Sequence, residues 1–212
     1  MEEKIQKVAE DFLERIKKNL PTDKADKPFI VGIVGMIGSG RTLLAKTLIN
    51  YLKGAVLVSG NSARFLLKQE GMPWGENVQK CIFHATRWLI KEGYIVIYDG
   101  SQVDKEKRIK TQELADELGV KYYLLRILTS QETAEKYLRK KYSQPHENTF
   151  EDFWPGTDAE DIVQNLKERN KVYNSIDQEE PKPEFFAEIE NEGTIDEFKQ
   201  KAIEVAKRLE QQ

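Results

Sequence analysis

Cysteine is all but missing from this chain. Cys81 stands alone, which excludes an internal disulfide framework and any cluster of thiolate metal ligands. Histidine is nearly as scarce: His84 and His146 lack metal-ligand spacing. No apolar run approaches the roughly 20 residues that span a bilayer. From Glu2 onward the residues are charged where a secretory leader would have its apolar stretch. The expectation is a cytoplasmic protein with no membrane partner. An excess of one charge is lacking too, since 33 Lys and Arg face 36 Asp and Glu for a net −3. That balance gives no strong nucleic-acid signal, while leaving room for a small basic pocket. Neither an internal repeat nor a low-complexity tract interrupts the 212 residues, a length that suits one α/β domain with additions.

What is present is alternation. Residues 2–20 place Ile5, Val8, Ala9, Phe12, Leu13, Ile16 and Leu20 at helical spacing among Glu, Lys, Asp and Arg, so this amphipathic helix needs a surface to cover. That surface is its own domain, or else a partner or second copy. Residues 21–28 read as a linker, which divides the chain into an N-terminal helix and linker, 1–27, and a main domain, 28–212. Strands are expected at 29–35, 55–58, 94–98, 122–128 and near 185–189. Helices are expected at 42–53, 63–69, 75–91, 105–118, 130–142, 158–174 and 194–210. Cys81, inside the third of these, reads as a small buried hydrophobe rather than a nucleophile. Strands and helices taking turns imply a parallel sheet with helices on both faces and right-handed crossovers. The polar stretch 143–157 is long enough for a lid. Within it Phe150, Phe153 and Trp154, with Glu151 and Asp152, form either a lid anchor or a small insert with its own core.

The most specific chemistry lies at Gly35-Met36-Ile37-Gly38-Ser39-Gly40-Arg41-Thr42, a match to the phosphate-binding G-x-x-x-x-G-K-[ST] loop with arginine in place of lysine. An apolar strand precedes it and a helix follows, the context such a motif requires. Glycines let backbone N–H groups curl inward around an anion, and the helix N-terminus points its dipole at the same place. Gly35, Gly38, Ser39, Gly40, Arg41, Thr42 and Leu43 are therefore the candidate nucleotide-binding residues. Thr42 supplies a hydroxyl to Mg²⁺, with Asp99, at the end of the third strand, as the second metal residue. Arg41 keeps the positive charge but replaces a compact ammonium by a longer planar fork.

With these pieces in place the chain resembles the P-loop small-molecule kinases, in their adenylate-kinase, dephospho-coenzyme-A-kinase and polynucleotide-kinase-like branches. The resemblance runs from about residue 28 to the C-terminus. It is carried by Val34 to Gly40, by Ser59-Gly60-Asn61-Ser62-Ala63-Arg64, by Ile97-Tyr98-Asp99-Gly100 and by Glu190-Asn191-Glu192-Gly193-Thr194-Ile195. It implies a three-layer α/β/α P-loop NTPase fold, a five-stranded parallel sheet in the order 2-3-1-4-5, a short lid at about 143–157, and an N-terminal helix extra to the family. It also implies ATP as phosphoryl donor, Mg²⁺ as cofactor and a small-molecule acceptor. Two departures stand out. Asn61 occupies the place of a catalytic aspartate, and an amide cannot serve as general base. Val103 stands where adenylate-kinase-like enzymes have an arginine.

The residues expected to act are then Arg41 and Asp99 in catalysis, with Arg139, beside Lys140 and Lys141, reaching the phosphates from the lid. Asn61, Arg64 and Arg87 are expected on the acceptor. Because a phosphate acceptor is ionised already and needs no base, a phosphorylated small molecule such as a nucleotide is favoured. A hydroxyl-bearing molecule or a polynucleotide 5′ end, with Asp99 as base, is the alternative acceptor. Two other functions fit the same loop: a nucleotide-binding module without turnover, and a simple NTP hydrolase.

Overall fold

A computed structural model describes residues 2–100, 102–143, 147–153 and 159–212. In chain order the elements are α1 (Glu2–Lys17), β1 (Phe29–Val34), α2 (Arg41–Tyr51), β2 (Ala55–Ser59), α3 (Gly60–Gln69), α4 (Glu76–Lys91), β3 (Ile95–Asp99) and α5 (Lys105–Leu118). These are followed by β4 (Lys121–Leu128), α6 (Gln131–Lys141), α7 (Ala159–Asn174), a 3-10 turn at Ile176–Gln178, β5 (Ala187–Glu190) and α8 (Ile195–Glu210).

The five strands pair in parallel in the order β2-β3-β1-β4-β5. β1 is buried along its whole length, which is why it reads as an uninterrupted apolar run. Its alternate side chains serve two cores. Ile30, with Val56, Val96 and Tyr98, packs beneath α1, α3 and α4. Val31 and Ile33, with Ile97, Leu125 and Ile127, pack beneath α2 and α8. Gly32 interrupts the run because the ring of Tyr122, one strand over, fills its place: a Cβ there would lie 2.3 Å from the Tyr122 hydroxyl. A third cluster joins Met36 and Val103 to the inner faces of α6 and α7.

The apolar stripe of α1 is covered within the chain. Ile5, Val8, Ala9, Phe12, Leu13 and Ile16 are buried among residues of α3 and α4. Of the two surfaces open to this helix, its own domain takes the stripe. Local chemistry shifts three boundaries from their expected places. Ser59 caps α3 by accepting from the amides of Asn61 and Ser62, so that helix begins at Gly60 rather than 63. α1 ends at Lys17 rather than 20. β5 starts at Ala187, two residues late, and Phe185 before it lies under the Arg126 guanidinium, 5.3 Å from its ring centre.

Candidate functional site

The loop between β1 and α2 is held open by its neighbours on two sides. Gly38 and Gly40 take φ of 81° and 96°, the left-handed region that costs other residues about 1–2 kcal/mol. A Cβ on Gly38 would lie 2.7 Å from the Ala134 carbonyl oxygen of α6. A Cβ on Gly40 would lie 2.8 Å from Asn191 Nδ2. The close neighbour that Gly40 spares is thus a side chain bracing the loop, not the phosphate space itself. Asn191 is buried and donates from Nδ2 to the Ser39 carbonyl at 2.8 Å, so the turn before α8 pins the loop's backbone. Ser39 is fully buried, yet its hydroxyl finds no partner among the described residues. An orphaned hydroxyl in a glycine loop at a helix N-terminus fits a bound phosphate oxygen. The Leu43 side chain packs on the α2–α8 core, leaving only its backbone for such a ligand.

Thr42 and Asp99, 57 residues apart in sequence, meet directly: the threonine hydroxyl donates to Asp99 Oδ2 at 2.8 Å. Both are oxygen donors, and the register β2–β3 places Asp99 opposite Ser59 at the sheet's carboxyl edge. Among the described residues no three His, Cys, Asp or Glu side chains gather as a metal site. Two oxygen donors alone fit the chemistry of a hard cation that keeps most of its water.

Around this pair the charge is positive. Arg64, half-buried on α3, donates to Asn61 Oδ1 at 2.7 Å. Burial pulls its pKa down to about 10, and Arg41 and Arg169 pull the same way while Asp99 opposes them. Arg41 is likewise lowered by burial, with Asp99 raising it and Arg169 lowering it again. Arg64 and Asp99 both lie beside Gly60 at the head of α3. A cavity of about 140 Å³ opens at the loop, lined by Gly35, Met36, Ile37, Arg41, Val103 and Arg169 among others.

Arg169 was not among the expected residues. It lies in α7, where Ile162, Leu166 and Tyr173 mark the buried stripe. Arg169 falls three residues after Leu166 and four before Tyr173, yet it is exposed, so helical spacing does not set it apart from the other charges of that helix. Two expected residues are placed elsewhere. Arg139 pairs with Glu160 of α7, its Nη2 3.2 Å from Oε2, because the carboxylate matches the fork of the guanidinium. It ties α6 to α7 instead of facing the loop, and Lys141 pairs with Asp152. Arg87 is bidentate to Glu117 at 3.0 and 2.8 Å, beside a groove of about 420 Å³ between α1 and α4. It lies near the C-terminal end of α4, and α4 feeds β3 so that this end is away from the carboxyl edge of the sheet. That groove is the larger of the two cavities, but it holds none of the loop residues, and its Arg87 and Lys110 are already paired. Trp154 lies outside the described residues, whereas Phe150 and Phe153 pack inward. Cys81 is buried, and burial pushes its thiol up to about 11, which keeps it protonated at neutral pH.

Comparison with known proteins matches residues 30–153 to the family described as an AAA domain. A search of curated proteins finds no match. Among solved structures the chain is similar to a gluconokinase from Sinorhizobium meliloti 1021, at 15% identity over 87% of this chain and 94% of that one, with a TM-score of 0.56. It is similar to the Deinococcus radiodurans tunicamycin resistance protein, at 18% identity over 86% and 96% and a TM-score of 0.55. It is similar also to the Mycobacterium tuberculosis APS kinase in complex with AMPPNP and APS, at 15% identity over 85% and 98% and a TM-score of 0.53.

Proposed function

We propose that this chain, which belongs to the AAA-domain family and has the fold of the P-loop small-molecule kinases, is an ATP-dependent phosphotransferase acting on a small anionic acceptor. The observation that carries the reading is that Arg41 and Arg169 line one cavity with the loop, beside the Thr42–Asp99 pair and with Arg64 at the same strand edge. Three cations that repel one another are stabilised by an anion lying among them. The backbone of Gly38 to Thr42 would hold the β- and γ-phosphates, with Arg41 and Arg169 against the γ-phosphate. Thr42 and Asp99 would hold Mg²⁺, which supplies charge neutralisation to the phosphates when bound. Arg64, steadied by Asn61, would hold the acceptor's phosphate or carboxylate bidentately.

In the transfer, an acceptor oxygen forms a bond to the γ-phosphorus while the bond from that phosphorus to the β–γ bridging oxygen breaks, and ADP departs. An ionised phosphate acceptor has no proton to give up. Asn61 supports this choice, because its carbonyl oxygen already accepts from Arg64 and an amide is no base. A hydroxyl acceptor would leave Asp99 as the base.

The test is calorimetry with Mg·ATP, followed by transfer from γ-labelled ATP to nucleoside monophosphates, sugar phosphates and dephospho-coenzyme A. Label is expected on an anionic acceptor. Nucleotide binding with no transfer to any acceptor would instead support a binding module, the reading that arginine at position 41 favours. Absence of binding at several millimolar nucleotide would remove both.

A further inference from the structure

Two parts of the chain have no role in that chemistry, α1 and the short segment 147–153 that follows α6, and they meet. The Phe150 ring lies 6.0 Å from that of Phe12 on α1, and the Arg15 guanidinium sits 5.4 Å over its face. The Phe150 carbonyl accepts from the hydroxyl of Ser62 on α3 at 2.6 Å. Three residues on, Phe153 is buried against Phe65 of α3 and Trp74, with ring centres at 5.8 and 6.3 Å. The segment is folded on itself where Thr149 Oγ1 accepts from the Asp152 amide at 3.1 Å. It therefore runs from α1 to the end of α3 as a strap with two aromatic anchors.

α3 needs such support. At ten residues it is too short to be stable by its own hydrogen bonds. It also carries Arg64, whose charge is repelled by Arg41 and Arg169. Ser62 stands two residues before Arg64, nearly opposite it around the helix. The strap thus grips the side of α3 facing away from the arginine and leaves Arg64 facing the site. We infer that the strap and α1 together fix α3, so that the Phe12–Phe150 contact sets how well Arg64 meets an anionic acceptor. Ser62, Phe150 and Phe153 are then positioning residues, and α1 is the fixed end of the device. This rests on the reading of Arg64 as the acceptor-binding group.

The test uses the full chain with Phe150→Ala, Phe150→Leu and Arg15→Gln. Hydrogen exchange is measured without ligand, and inorganic phosphate is titrated with the loop filled by Mg·AMPPNP. Phe150→Ala should speed exchange in 147–153 and in α3 roughly tenfold, with β1 and α2 unchanged, and weaken phosphate by a similar factor. Phe150→Leu should recover most of both losses, and Arg15→Gln should show a smaller change of the same sign. Unchanged exchange in α3 would overturn the strap. Faster exchange with unaltered phosphate affinity would overturn its link to the acceptor. If wild-type protein binds no phosphate beside the nucleotide, the acceptor reading itself fails, while the exchange comparison still decides whether the strap holds α3.

Discussion

Arg64 is half-buried and Arg126 buried, and their surroundings act on them with opposite sign. Arg126 is bidentate to Asp177 at 2.7 and 2.8 Å and lies over Tyr173 and Phe185, and the Asp177 carboxylate holds its pKa above the ordinary value. Its charge stabilises the fold. Arg64 is lowered to about 10 by burial and by two other arginines, so in the unliganded protein its charge is a cost. Arg126→Met should therefore destabilise by about 1–3 kcal/mol. Arg64→Gln should leave the unliganded melting temperature unchanged or higher. The sign for pH follows: a cation lowered in the fold to about 10 leaves stability flat below that pH and makes it rise as pH climbs past 10 toward the ordinary arginine range, and Arg64→Gln should flatten that rise. The same substitution should weaken acceptor binding about ten- to a hundredfold with little change in ATP affinity. Equal destabilisation by both substitutions would mean that Arg64 is structural. At Arg41, the change to Lys restores a compact charge for the β- and γ-oxygens and should raise turnover. A fall in turnover would show a loop reshaped around arginine. Arg41 and Arg64 were legible in the sequence because they sit in or beside a motif. Arg169 was not, since an exposed arginine among the other charges of α7 carries no mark in the spacing, and a basic run at a helix end says nothing of the Glu160 with which Arg139 pairs.

The loop owes its shape to elements that arrive late in the chain. α6 closes on Gly38 through the Ala134 carbonyl, and the turn before α8 holds the Ser39 carbonyl through Asn191. Gly38→Ala should then cost roughly 2–4 kcal/mol, combining a left-handed backbone with a backbone clash, and nucleotide binding should go with it. Asn191→Ala should cost about 1–2 kcal/mol and weaken Mg·ATP several-fold without touching the acceptor. Chemical denaturation alongside calorimetry separates the two effects, and full ATP affinity in Asn191→Ala would mean that the loop keeps its shape unaided. The central strands were readable because strands buried on both faces are apolar at every position. Element ends were less so. The early start of α3 depends on Ser59 turning its hydroxyl onto the Asn61 and Ser62 amides, a local cap that apolar spacing alone does not mark.

Sheet order is the feature that periodicity left open, since alternating strands and helices fit several parallel arrangements. The order 2-3-1-4-5 was available only through the resemblance carried by the phosphate loop and the Asp99 strand end, and the pairing β2-β3-β1-β4-β5 matches it. That order sets β1 between β3 and β4, so the loop after β1 lies between the Asp99 strand end and the elements that follow β4. One consequence concerns the molecule entire. The proposed ligand would touch the loop, α3 and α7 at once, joining three regions whose unliganded contacts with one another include repulsion among Arg41, Arg64 and Arg169. Mg·ATP at a hundred times its dissociation constant should stabilise the fold by about 2.7 kcal/mol, a rise of roughly 5–10 °C for a chain of this size. Hydrogen exchange should slow in α7 as well as in the loop and α2. Arg169→Ala removes the one α7 charge that faces Arg41, so it should shrink the thermal rise and confine the slowing to the loop and α2. If α7 exchange is indifferent to nucleotide in the wild-type chain, Arg169 does not take the γ-phosphate, and its place beside Arg41 on the cavity has another cause.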